Sequence, residues 1–207
     1  MQIITIAPRG FGSNTYVLTA DGKTAVVIDP SQSRAETELL RLGLKAEYVL
    51  LTHCHFDHVG GVAPLQASGA RVISSDIEKP FFGTHVDLFD HFSVPRVPCT
   101  VDEVMSDNEE RVLCGIRIRA LVVPGHTDGS TCYLVTDEDG KRYLFSGDLL
   151  FANSVGRTDF PTGNFTKLRQ SLRRVLALAD DMPVYAGHNE PTCLAHERKN
   201  NPFLTDL

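Results

Sequence analysis

Three histidines and an aspartate fall within six residues in His53-Cys54-His55-Phe56-Asp57-His58. Imidazole nitrogens and carboxylate oxygens are donor types that hold divalent metals, and burying four such groups together is costly unless they bind something. Residues two apart on a tight loop can converge on one ion, which leaves the following Asp-His pair to face a second. Three shorter segments carry the same chemistry: Pro124-Gly125-His126-Thr127, Ser146-Gly147-Asp148 and Ala186-Gly187-His188. A fifth, Val155-Gly156-Arg157-Thr158-Asp159, supplies a cation where the others supply ligands. A lone histidine after a strand is more often a surface or hydrogen-bonded residue than a ligand, and His85, His91 and His196 stay in that class. The dense block differs, because no capping or packing requirement asks for its pattern.

Each ligand-bearing segment follows a run that reads as a strand. YVLLT (48–52) leads into the histidine block, LVV into His126, YLF into Asp148 and PVY into His188. In an open α/β sheet, sites gather at the carboxyl ends of strands, so four strand ends delivering seven nitrogen and oxygen ligands say more than any one of them. Further strands are expected at 2–6, 14–20 and 24–28, the last two joined by a turn at Asp21-Gly22-Lys23. Residues 33–42 read as a helix with an acidic first turn. A second helix should end at Gly69, its firm part placed later than His58 by Pro64. A strand is expected at 70–75, then short helices and loops across 76–110. Strands follow at 116–123, 131–136 and 142–146, with Asp139-Gly140 in a turn. An apolar stripe predicts a helix over 166–178, then a strand over 183–188 and a short helix after Pro191. This alternation favours a layered α/β architecture. With no repeat of solenoid length and no low-complexity linker, residues 1–207 are expected to form a single domain.

The 20 Lys and Arg against 26 Asp and Glu give a net charge of −6, without the basic face that nucleic acid requires. Five cysteines, odd in number and without a CxxC pair, read as free thiols in a reducing compartment. Cys54 is read as a small buried thiol, not a nucleophile or ligand. The N-terminus lacks the features of a signal peptide, and no run approaches the roughly 18 apolar residues of a membrane helix. The expectation is a cytoplasmic protein with no membrane or nucleic-acid partner.

The motifs THCHFDHVGG, PGHTDGS, LFSGDLLF, SVGRTDFPTG and GHNEPTCLAHERKNNPF span nearly the whole chain. In them the sequence resembles the metallo-β-lactamase fold superfamily, and within it the small glyoxalase II-like (hydroxyacylglutathione hydrolase-like) branch. The resemblance implies an α/β fold, a four-layer αββα sandwich. It implies His53, His55 and His126 on one metal and Asp57, His58 and His188 on a second, with Asp148 bridging. Two divalent ions are implied, zinc first, although an all-nitrogen and oxygen donor set also accommodates iron or manganese. The implied reaction is hydrolysis of a small-molecule thioester such as S-lactoylglutathione through a metal-bridging hydroxide, with Asp57 and Asp148 as catalytic residues.

Arg157 matches the place where larger glyoxalase II enzymes use a basic residue on the substrate, and an ion pair with Asp159 is the competing reading. Those larger enzymes carry a helical extension that adds glutathione contacts. This chain ends at Leu207 without one, which opens the site to a different or smaller thiol carrier. Asn189 stands where relatives of the branch usually show Gly. True β-lactamases of the superfamily typically lack the bridging carboxylate and the His after the Asp, which argues against lactam hydrolysis. The rival activities are a persulfide dioxygenase of the same fold, holding one iron through positions matching His53, His126 and Asp148, and a non-enzymatic metal-binding module. A metallo-nuclease would need extra domains and a basic surface, and lactone hydrolysis is open as a side reaction. The motifs leave the oligomeric state unset.

Overall fold

In the computed structural model, which describes residues 1–178, 181–205 and 207, period-two alternation of side chains builds two sheets. Strands β1 (Gln2–Ile6), β2 (Thr15–Thr19), β3 (Thr24–Ile28), β4 (Lys45–Leu50), β5 (Arg71–Ser75) and β6 (Glu103–Met105) form the first, in that order. β1 to β3 pair antiparallel and β3 to β6 parallel. The second sheet contains β7 (Glu110–Leu113), β8 (Ile116–Val122), β9 (Thr131–Thr136) and β10 (Arg142–Gly147). A two-stranded ribbon of β11 (Leu150–Phe151) and β12 (Ser154–Val155) follows, before β13 (Pro183–Ala186) and β14 (Thr192–Cys193) rejoin the second sheet. Its order is β14-β13-β10-β9-β8-β7, with β10 and β13 parallel.

Three apolar clusters define the layers. Val17, Val27, Val49 and Val72 of the first sheet pack against the helices α1 (Arg34–Leu42), α2 (Phe56–Val59) and α3 (Val62–Ala67) through Ala35, Leu39, Val59, Val62 and Leu65. Their strand neighbours Tyr16, Leu18, Val26, Ile28, Leu50 and Ile73 point the other way, onto Ile116, Ile118, Tyr133, Val135 and Phe145. On the far face, Leu121, Leu134, Leu144 and Val184 meet α4 (Phe165–Leu176) and α5 (Leu194–Asn200) through Leu168, Leu172, Val175 and Leu194. The result is the expected αββα sandwich. Inner strands are covered on both faces, which is why they read as continuous apolar runs.

Several expectations are corrected in detail. The stretch 76–110 holds short 3₁₀ turns at Lys79–Phe81 and His85–Asp87, but also β6, which extends the first sheet, and the start of β7. β6 is a three-residue edge strand in which Met105 alone is buried, too short to show a period. The strand before the histidine block ends at Leu50, not at Thr52, and the last parallel strand ends at Ala186. The helix expected after His58 begins at Phe56 and is split at Gly60-Gly61. A Cβ at Gly61 would stand 2.3 Å from the carbonyl oxygen of Gln32, so the chain crosses there only as glycine. Among the described residues, no helix is long and apolar enough to cross a membrane.

Because β3 runs parallel to β4, and β10 to β13, the segments after them leave along one edge of the sandwich. Asp29 and the histidine block come from the first sheet, and Asp148 and His188 from the second. His126, after β8, joins them there.

Candidate metal centre

The carboxylate of Asp29, just past β3, organises the first half of the site. Thr52 donates to it twice, from its backbone N–H to Oδ1 at 2.8 Å and from its hydroxyl to Oδ2 at 2.6 Å. Asp29 holds φ at 48°, a left-handed conformation that Asp tolerates better than most side chains. Its Oδ2 also lies 2.9 Å from His58 Nδ1. The Thr52 hydroxyl, its proton given to Asp29, accepts from Nδ1–H of His53 at 3.0 Å. His126 is oriented likewise, its Nδ1 donating to the Arg157 carbonyl at 2.8 Å. These outer bonds place the protons on the Nδ1 atoms and leave Nε2 of His53, His58 and His126 facing inward.

All seven residues singled out from the sequence converge there. Three donor groups form, each with its ligand atoms within 4.8 Å of one another: His53, His55 and His126; His53, His58 and Asp148; Asp57, His58 and His188. His126 Nε2 is 2.9 Å from His55 Nδ1. Asp148 reaches both halves, with Oδ1 3.4 Å from His58 Nε2 and Oδ2 3.5 Å from His126 Nε2 and 3.4 Å from His188 Nε2. Asp57 Oδ2 lies 3.3 Å from His188 Nε2. Nε2 of His53, His55 and His58, and Oδ1 of Asp148, are buried without a hydrogen-bond partner. A buried unpaired donor or acceptor costs about 1–3 kcal/mol, and four in one place fit a cage for cations.

Protonation divides the cluster. Burial, then the neighbouring His58, His55 and His126, hold His53 well below the usual imidazole range, and burial followed by His126 takes His55 to about 3. Burial also opposes a charge on His58 and His188. For His58 the carboxylates of Asp148, Asp57 and Asp29 outweigh it and raise the pKa well above normal; for His188 the carboxylates of Asp148 and Asp57 raise it to about 9. Burial pushes the carboxyls of Asp57 and Asp148 up, and His58 and His188 more than reverse this, leaving both depressed. Without metal, the site is thus a neutral imidazole cluster beside a compact set of opposite charges.

Two buttressing residues escaped the sequence reading. Asp29 stands one residue past the strand expected over 24–28, where an aspartate carries no special signal. Glu78, fully buried, accepts from the Cys54 N–H at 2.9 Å, the Thr127 hydroxyl at 2.9 Å and the Gly129 N–H at 3.0 Å. It ties the loop of His53 and His55 to the loop of His126, and burial lifts its pKa against the pull of those donors. Its position in the featureless 76–110 stretch gave no signal. A buried carboxylate is rare enough to notice only once its burial is known.

Arg157 forms the ion pair that was one of its two readings, Nε and Nη2 each 2.6 Å from Asp159, with its guanidinium 4.0 Å from the centre of the Phe160 ring. Arg157 also lines a cleft of about 420 Å³ that opens over His55, Asp57, His126, Asp148 and His188. Cys54 is fully buried, and burial followed by the nearby Glu78 raises its thiol pKa well above normal. His85, His91 and His196 lie outside the donor groups.

The family described as the Metallo-beta-lactamase superfamily matches residues 8–188, a span that contains all seven converging side chains. The chain belongs to this superfamily. Hydroxyacylglutathione hydrolase GloC of Haemophilus influenzae is 33% identical over 211 residues, covering 99% of this chain and 98% of the relative. Among solved structures, the B3 metallo-beta-lactamase BLEG-1 gives a TM-score of 0.87 at 31% identity, over 99% of this chain and all of that one. TTHA1623, crystallised in a di-iron-bound form, gives 0.82 at 33% identity over 99% and 100%. This member of the superfamily is accordingly a metal-binding hydrolase resembling the glyoxalase II-like branch.

Proposed function

We propose that this chain is a binuclear metallohydrolase that cleaves small-molecule thioesters, S-lactoylglutathione being the first candidate. The observation that carries the reading is the set of four buried, unpartnered donor atoms aimed into one space at the floor of a cleft. His53, His55 and His126 would hold one divalent ion, Asp57, His58 and His188 the other, with Asp148 between them. Such a pair supplies Lewis acidity toward a carbonyl oxygen and brings the ionisation of water into the neutral range.

The chain's own groups supply the rest. Asp57 and Asp148, the carboxylates proposed as catalytic, would offset the charge of the ions and orient the attacking water from beside them. Asp29, Thr52 and the Arg157 carbonyl fix the imidazole rings, so that no reorganisation is needed during the reaction. The Arg157 side chain at the cleft wall is assigned to a substrate carboxylate, in exchange with Asp159. Cys54, buried and protonated, takes no part. Zinc is the proposed metal, and the free cysteines support a reducing, cytoplasmic setting. The chain is taken to act as one catalytic domain across 1–207.

The likeness to ETHE1 of Myxococcus xanthus, 28% identical at a TM-score of 0.79 over all of this chain and 85% of that one, favours one rival, a persulfide dioxygenase holding a single iron. One purified sample separates the readings: metal content, thioester hydrolysis, β-lactam hydrolysis and persulfide-dependent oxygen uptake. The proposal expects about two ions per chain and thioester turnover that disappears on chelation. Oxygen uptake by an iron-loaded sample without thioester turnover overturns it, as does lactam hydrolysis without it.

A further inference from the structure

The walls of the cleft are chemically unlike its floor. Above the histidines and carboxylates stand Phe11, Phe56, Phe92, Phe151 and Phe160, drawn from segments far apart in sequence. Three of them form a continuous array: Phe56 and Phe92 have ring centres 5.1 Å apart, and Phe92 and Phe160 5.9 Å apart. The far end of the array meets the site itself, with Phe160 edge-on to His55 at 5.9 Å. Phe11, at the mouth, is 92% exposed, and Phe92 is 44% exposed. Scattered exposed apolar residues are ordinary, but a cluster of rings around a polar floor has the composition of a ligand pocket.

The charge of the cleft points the same way. Among the described residues that line it, Arg157 is the one permanent cation, and Asp159 already engages it through two short bonds. A neutral aryl group would find offset and edge-on partners at the spacing aromatic pairs prefer.

We infer that the cleft selects thioesters whose acyl group carries a neutral aromatic ring, seated on the Phe56, Phe92 and Phe160 array and covered by Phe11, over thioesters of a small aliphatic acyl group on the same thiol. This rests on the thioesterase reading given above, and the test separates the two. Zinc-loaded protein is offered the acetyl and phenylacetyl thioesters of N-acetylcysteamine together with S-lactoylglutathione. It is also titrated with the corresponding ketones, in which a methylene replaces sulfur, so that binding is read without turnover.

The expected result is kcat/KM at least tenfold higher for the phenylacetyl thioester than for the acetyl one, and at least tenfold tighter binding of the phenylacetyl ketone than of the acetyl one. Phe92→Ala and Phe11→Ala, checked for native circular dichroism and metal content, should each shrink the phenylacetyl-to-acetyl ratio at least threefold. Equal ratios in the wild-type protein, or ratios untouched in both variants, overturn the inference while leaving the thioesterase reading in place. Tight binding of the phenylacetyl ketone that depends on Phe92, with no thioester cleaved, upholds the aromatic cleft and removes the thioesterase.

Discussion

Asp29 and His58 form a fully enclosed pair, Oδ2 of one standing 2.9 Å from Nδ1 of the other. The aspartate touches none of the proposed ions, yet it sets the ring direction of one ligand directly and of His53 through Thr52. Outer partners of this kind typically change metal affinity by 10–100-fold when removed. Asp29→Asn should therefore weaken binding of the second ion by a factor in that range and of the first by less. Competition titration against a chromophoric chelator measures both constants. Two unchanged affinities would show that the pair is not needed to orient the ring.

Glu78 bridges the two loops that bring His55 to His126, so its loss should be felt as stability and as activity together. Glu78→Ala strands the Cys54 and Gly129 N–H groups, each worth about 1–3 kcal/mol when left unpaired in the interior, and leaves the Thr127 hydroxyl to Ser130 alone. A loss of about 2 kcal/mol or more in denaturant unfolding is expected, with a matching fall in retained metal. Stability within about 0.5 kcal/mol of wild type would contradict this role.

In chelated protein the charged half of the site should leave a signature in pH-dependent stability. The folded-state pKa of His188 is raised to about 9, so its contribution is fully present below the unfolded value of about 6.5 and is lost as pH rises through about 9. His58, raised further, acts with the same sign. The depressed carboxyls of Asp57 and Asp148 contribute above about 4 and lose that contribution as pH falls below it. Unfolding of the chelated protein should therefore show declining stability from pH 7 to pH 10. A flat or rising profile across that interval would be inconsistent with the paired charges.

Metal loading should release protons unequally. His53 and His55 are already neutral, whereas His58 and His188 carry protons at pH 7 in the metal-free site. Binding of the second ion should release about two protons, one each from His58 and His188, while His53 and His55 release none to the first. Calorimetry in buffers of different ionisation enthalpy reads the number directly. Equal release in the two steps would mean that the halves are not electrostatically distinct.

How much was legible beforehand follows from where each residue's meaning resides. The seven convergent side chains carry their message in type and local spacing, and each stands just past a strand whose apolar run is self-evident, so they and the layered fold were readable. Asp29 and Glu78 have roles only after β3 lies beside β4 and the 3₁₀ segment near Lys79 folds over the histidine loop. No short window of sequence holds that relation. β6 escaped notice because three residues cannot display a period, and the phenylalanine wall because its members are spread from position 11 to position 160.

The central claim is that seven side chains from four separated segments cage two neighbouring cations. Anomalous diffraction from crystals grown with zinc tests it most directly. Two peaks per chain are predicted, about 3.5–4 Å apart, one among His53, His55 and His126 and the other among Asp57, His58 and His188, with Asp148 between them. A single peak, or none within this cluster, would contradict the account.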